Sequence, residues 1–202
     1  MGLNKKIKIE DLKDNRAVSE AREKLRDDMT KGIVKWVFEI IVTLVFAVLV
    51  AISAFQTVTL QESAMEPTYS VGEKFFVNRA LYKFSSPKRG DVIVFKTSAS
   101  DSAALHIRRV IGLPGETVQV KDGQVYINGK VYEENGAYQD MTDGGLADSA
   151  VTLESGEYFV LGDNRNNSED SRFSDIGNIN KKYIVGKIWF TVSPKNKIGF
   201  IK

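Results

Sequence analysis

The chain has no cysteine and a single histidine, His106, in 202 residues, so a thiol nucleophile, a disulfide and a Cys- or His-built metal site are all excluded or disfavoured. No cofactor is expected. Chemistry then has to come from hydroxyls, carboxylates and amines. A serine hydroxyl attacks a carbonyl only when a base within hydrogen-bond reach takes its proton, and a histidine, or a lysine whose pKa burial has lowered, can be that base. Two stretches concentrate the relevant residue types. In QESAMEPTYS, residues 61–70, Ser63 stands beside Ala64, Met65 and Pro67. In GDNRNNSEDSR, residues 162–172, Ser168, Asp170 and Arg172 alternate. His106 and Arg108, two apart in a strand-like run, share one face. Read alone, Asp170 and Arg172 are a surface pair worth no more than about 1 kcal/mol, and Asp163, Asn164 and Arg165 are turn formers.

These residues need a scaffold, and the hydrophobic pattern supplies two kinds. Ile40 to Gln61 are 22 consecutive residues without a charge, and about 20 helical residues cross the roughly 30 Å hydrocarbon layer. A single transmembrane helix is expected over 33–56, apolar on every face where a soluble helix would show one stripe. A cleaved signal peptide does not fit, because its apolar region is shorter and a tail of more than 30 residues precedes this one. That tail, 1–32, reads as a solvated or partly disordered charged helix. Met1 to Lys35 carry ten Lys or Arg and seven Asp or Glu, with Lys31 and Lys35 against the span and Trp36 as an interfacial anchor. Positive charge beside a span favours the cytoplasmic side, so residues beyond 57 are expected outside the cell membrane. From there to residue 202, runs such as GDVIVFKT, GEYFVLGD and YIVGKIWFTV, punctuated by turn residues, predict a mainly β, partly closed barrel-like domain. Asp122-Gly123 and Asn128-Gly129 mark tight hairpins. The polar stretch 133–155 reads as a loop or small insertion. A net charge of +2 gives no pull toward nucleic acid.

Three stretches in order, AMEPT at 64–68, RGDVIVF with IRRVIGLPGE at 89–116, and GDNRNNSEDSR, resemble the bacterial signal peptidase I family, membrane-anchored Ser-Lys endopeptidases that remove signal peptides from exported preproteins after small residues. The resemblance covers the anchor and the domain beyond Val58, and stops short of the tail. It implies signal peptides and membrane lipid as partners. It also implies that Ala64 occupies the nucleophile's position and Arg108 the base's. Alanine has no hydroxyl, and a guanidinium with a pKa above about 12 stays protonated. By the same resemblance Ser168 would orient the base, Asp170 and Arg172 would brace their loop, and Met65 and Pro67 would shape the 63–68 turn. Leu60, Met65 and Phe76 are assigned to an apolar wall facing the membrane or the peptide. Glu62 falls where the family tends to have a small residue or serine, and a carboxylate there opposes a developing oxyanion.

The expectation is therefore a signal peptidase fold that is inactive or severely impaired, since loss of a nucleophile alone costs on the order of 10⁶ in rate. Ser63 with His106 is the one replacement pair the sequence offers, although a one-residue shift in an extended loop reverses the side-chain direction. A different class of function is a non-catalytic, membrane-anchored binder of signal-peptide-like segments, or an accessory factor in export or surface assembly, gripping extended chains by strand addition.

Overall fold

The structure, a computed structural model, describes residues 3–100, 103–134 and 136–201. Met1 and Gly2 of the tail and Asn135 of the expected insertion lie outside the described residues. The chain divides into two units, one through Ile52 and one from Ser53 onward.

The first unit is helix α1, Leu3–Ala54. It runs without a break through both the charged tail and the apolar stretch. Its tail carries exposed i,i+4 pairs, Arg16 with Glu20 at 3.4 Å and Lys31 with Asp27 at 3.6 Å. The large apolar side chains between Ile33 and Ile52 are exposed all round the helix. That is unfavourable in water and expected in lipid. Among the described residues this is one helix long and apolar enough to cross a membrane. It ends two residues before the expected limit of the span, and Phe55 and Gln56 begin a strand.

The second unit is mainly β. Its strands are β1 (Phe55–Thr59), β2 (Lys74–Asn78), β3 (Val92–Phe95), β4 (His106–Gly112), β5 (Thr117–Lys121), β6 (Gln124–Ile127), β7 (Lys130–Val131), β8 (Val151–Thr152), β9 (Glu157–Leu161), β10 (Ile179–Asn180), β11 (Ile184–Ser193) and β12 (Gly199–Phe200). One short helix, α2, covers Leu81–Phe84. The main sheet has the order β1-β2-β11-β3-β4-β9-β10 with β12 added to β11, and its pairings are antiparallel. Register shifts along β11, against both β2 and β3, put irregularities at its start, middle and end. Bulges increase twist and bend the sheet, which curls into a half-barrel.

Strand β3, VIVF, is buried on both faces. Val92 and Val94 join a core with Leu60, Met65, Phe75 and Val77, whereas Ile93 and Phe95 join another with Val110, Tyr158 and Val160. This explains why the run lacks polar alternation. The smaller sheet, β7-β6-β5-β8, hangs on two hairpins. Asp122 and Gly123 have φ of 52° and 77°, and Asn128 and Gly129 have 50° and 77°, the paired positive angles that such two-residue turns require.

The 133–155 stretch departs from the expected loop. A 3₁₀ turn at Gly145–Asp148 and strand β8 fall within it. Met141, Ala147 and Leu153 are buried in a third core with Val118, Val125 and Phe159. Its polar, glycine-rich composition hid three apolar anchors spaced with no period.

Candidate functional site

A 3₁₀ turn, Ser63–Met65, places Ala64 and Met65 in the protein interior. Its neighbour is the loop 162–172, and three hydrogen bonds join them. Asn164 N donates to Ala64 O (2.9 Å), Asn164 Nδ2 to Ser63 O (3.3 Å), and Asn167 Nδ2 to Ser63 Oγ (3.1 Å). The contact is closest at Gly162. A Cβ there would overlap Ser168 Oγ and lie 2.5 Å from Ala64 O, so the glycine is required by close approach.

Strand β4 brings the third piece. Ala64, Arg108 and Ser168 line one open cavity of about 560 Å³, together with Glu62, Ser63 and Phe173. Arg108 is buried, and every contact holds it in place. Nε donates to Glu169 O (2.8 Å), Nη1 to Ile107 O (2.7 Å), and Nη2 lies 2.6 Å from Glu62 Oε2. Glu62 Oε1 is 2.9 Å from His106 Nδ1. One carboxylate therefore bridges both residues of the shared β4 face. Partial burial alone would raise the Glu62 pKa. The hydrogen bond to His106 and the charge of Arg108 outweigh it and bring the value down to about 2.

The structure thus gathers Ala64, Arg108, Ser63 and Ser168 in one place, with Met65 packed behind the turn. Ser168 Oγ is buried with no hydrogen-bond partner among the described residues. Ser63 and His106 are not joined. Ser63 Oγ accepts from Asn167 Nδ2, and His106 faces Glu62 and stacks beside Phe95 at 5.7 Å. Pro67 is exposed at the far end of the turn.

Asp170 and Arg172 are not a surface pair. Both are buried, and they meet in a bidentate contact of 2.8 and 2.9 Å. Asp170 Oδ2 also accepts from Gly162 N (3.1 Å), and Arg172 donates to the carbonyls of Arg165 (2.6 Å) and Asp143 (2.9 Å). Asp163 and Arg165 are likewise more than turn formers. Asp163 holds Arg109 through two bonds of 2.8 and 2.6 Å, and Arg165 pairs with Glu134. Alternation along a loop cannot reveal such pairs, because their partners lie 31 to 54 positions away. The expected apolar wall also divides. Leu60 and Met65 are core residues, while Phe76, on the opposite face of β2 from Phe75, is partly exposed and lies 6.2 Å from the Phe190 ring. Among the described residues no acidic, histidine or cysteine cluster could hold a metal ion.

The family described as signal peptidase, peptidase S26, matches residues 33–193, beginning where the charged tail ends. The chain is 34% identical over 171 residues to a signal peptidase I from Bacillus licheniformis, across 81% of this chain and 90% of that protein. It is 40% identical over 146 residues to a signal peptidase I from Leptolyngbya laminosa, across 69% and 70%. It is similar to the crystal structure of a signal peptidase I from Enterococcus faecalis at 32% identity and a TM-score of 0.42, over 52% of this chain and 97% of that one.

Proposed function

The chain belongs to the signal peptidase family, peptidase S26, and we propose that its β domain receives signal peptides of exported preproteins at the cavity beside Ala64 but does not hydrolyse them. The family's reaction is that of a serine endopeptidase. Here the nucleophile's position is Ala64 and the base's position is Arg108, which rules out both proton transfer to a base and an acyl-enzyme at that residue. The observation that carries the reading is the way Arg108 is held. Its guanidinium is buried and tied to Glu62 and two carbonyls, a fixed cation where the reaction needs a free base. This favours a chain that keeps its substrate contacts without turnover.

Glu62 sharpens the test. A lysine placed at 108 would meet the Glu62 carboxylate, and an opposite charge within about 4–6 Å favours the charged amine by roughly 1–3 pKa units. Ala64→Ser with Arg108→Lys should therefore regain little activity. Adding Glu62→Ser should raise cleavage by at least about tenfold over that double variant. The assay follows mature product from one preprotein whose cleavage site carries small residues, using detergent-solubilised full-length chains. The parent should give no product. A folded triple variant that gives none, or a parent that gives product, whether Ser63→Ala abolishes it or not, would overturn the proposal.

A further inference from the structure

A second and larger cavity, of about 930 Å³, lies away from the Ala64 site, on the wall formed by β1, α2, the end of β3 and the start of β11. Five cations line it, Arg79, Lys83, Lys96, Lys181 and Lys182, and among the described residues no acid does. Arg89, Arg108, Arg109, Arg165, Arg172, Lys187 and Lys197 each meet a carboxylate within 4 Å. Arg79, Lys83, Lys181 and Lys182 take part in no ion pair among the described residues. Lys181 Nζ donates to neutral groups, Ser85 O at 2.8 Å and Ser86 Oγ at 3.3 Å, and Lys182 Nζ lies 4.8 Å from the Tyr183 ring centre. Asp91 stands behind the wall, bonded to the Tyr82 hydroxyl and to Lys187.

Like charges gathered around a concavity repel one another and focus a positive potential that an external anion relieves. We propose that this cavity binds the phosphate-bearing headgroup of an anionic phospholipid. Its place in the chain selects the lipid over a soluble phosphate. Gln56, on the cavity wall, is two residues beyond Ala54, the end of α1. Two extended residues span about 7 Å, and a headgroup layer is roughly 5–8 Å deep on each side of the hydrocarbon. However the domain turns, the chain keeps Gln56 within about 7 Å of the end of α1. Beside Lys83 on α2, Phe84 is 91% exposed, an aromatic next to a cation as suits a membrane interface.

The test uses the full chain in a neutral maltoside detergent, titrated with short-chain phosphatidylglycerol or with phosphatidylcholine of the same chain length, bound lipid being counted by native mass spectrometry. The anionic lipid should bind at least about tenfold tighter. Lys83→Gln with Lys182→Gln, both exposed positions, should abolish that preference, and Arg79→Gln alone should weaken it. Lys121→Gln with Lys130→Gln, an equal charge change on the exposed β5–β7 hairpins, should leave it intact. Equal binding of the two lipids, equal loss in both double variants, or displacement of the lipid by an equal concentration of inorganic phosphate would each overturn the proposal.

Discussion

At Glu62, one side chain joins the turn that carries Ala64 to two residues of strand β4. The carboxylate meets a buried guanidinium on one oxygen and an imidazole nitrogen on the other, so removing its charge leaves Arg108 buried without a counter-ion. Breaking a buried pair costs about 3–5 kcal/mol. Glu62 is itself 36% exposed, so solvent screening reduces the expected cost of Glu62→Gln to about 1–2 kcal/mol at neutral pH. The effect carries a pH signature. An unfolded carboxyl takes up its proton near the ordinary 4.5, and the folded one resists until about 2. The stabilisation is therefore whole above about pH 5 and drains away as pH falls toward 2. Melting temperatures of parent and Glu62→Gln in detergent should differ by a constant amount at neutral pH and converge on acidification. A gap that stays constant down to pH 2 would refute the coupling. No sequence spacing links positions 62 and 108, because a strand and a turn bring them together. The resemblance located both residues, yet their contact is a fact of folding.

The elements around the site follow a different logic. The 162–172 loop has almost no apolar content to anchor it, and its shape comes from buried charge. Arg172 ties together the segments at Asp143, Arg165 and Asp170, while Asp170 reaches back to Gly162. A guanidinium's planar fork can satisfy these directions together, and an ammonium cannot. Asp170→Asn should cost about 3 kcal/mol, lowering the apparent melting temperature by about 6–12 °C. A drop corresponding to less than about 1 kcal/mol would restore the surface-pair reading. The strands were legible because period-two runs and paired turn residues state their identity locally, as at Asp122-Gly123 and Asn128-Gly129. The buried ion pairs were not. A charged residue reads as exposed until its partner is known, and Glu134, Asp143 and Arg165 are brought together only by tertiary folding.

At the scale of the whole chain, the order anchor then β domain was readable because an all-round apolar helix and a run of turn-punctuated strands obey different periods. The continuity of α1 through the tail was less so, since alternating charges at helical spacing are equally consistent with a frayed segment. Orientation is the remaining whole-molecule property, and charge beside the span argues it. Lys31 and Lys35 flank the apolar stretch on its amino-terminal side, whereas Ile40 to Gln61 and the residues just beyond the helix carry no cation that would compete. Positive residues favour the cytoplasmic side, so the tail is expected inside and the β domain outside. The absence of native cysteine makes the test clean. Ser19→Cys on the exposed tail and Ser155→Cys in the exposed turn before β9 introduce one thiol each. In intact cells a membrane-impermeant maleimide should label the chain carrying Ser155→Cys and leave Ser19→Cys untouched until the membrane is opened. The reverse pattern would place the β domain inside, where neither a preprotein's cleavage site nor the outer leaflet's headgroups could reach it.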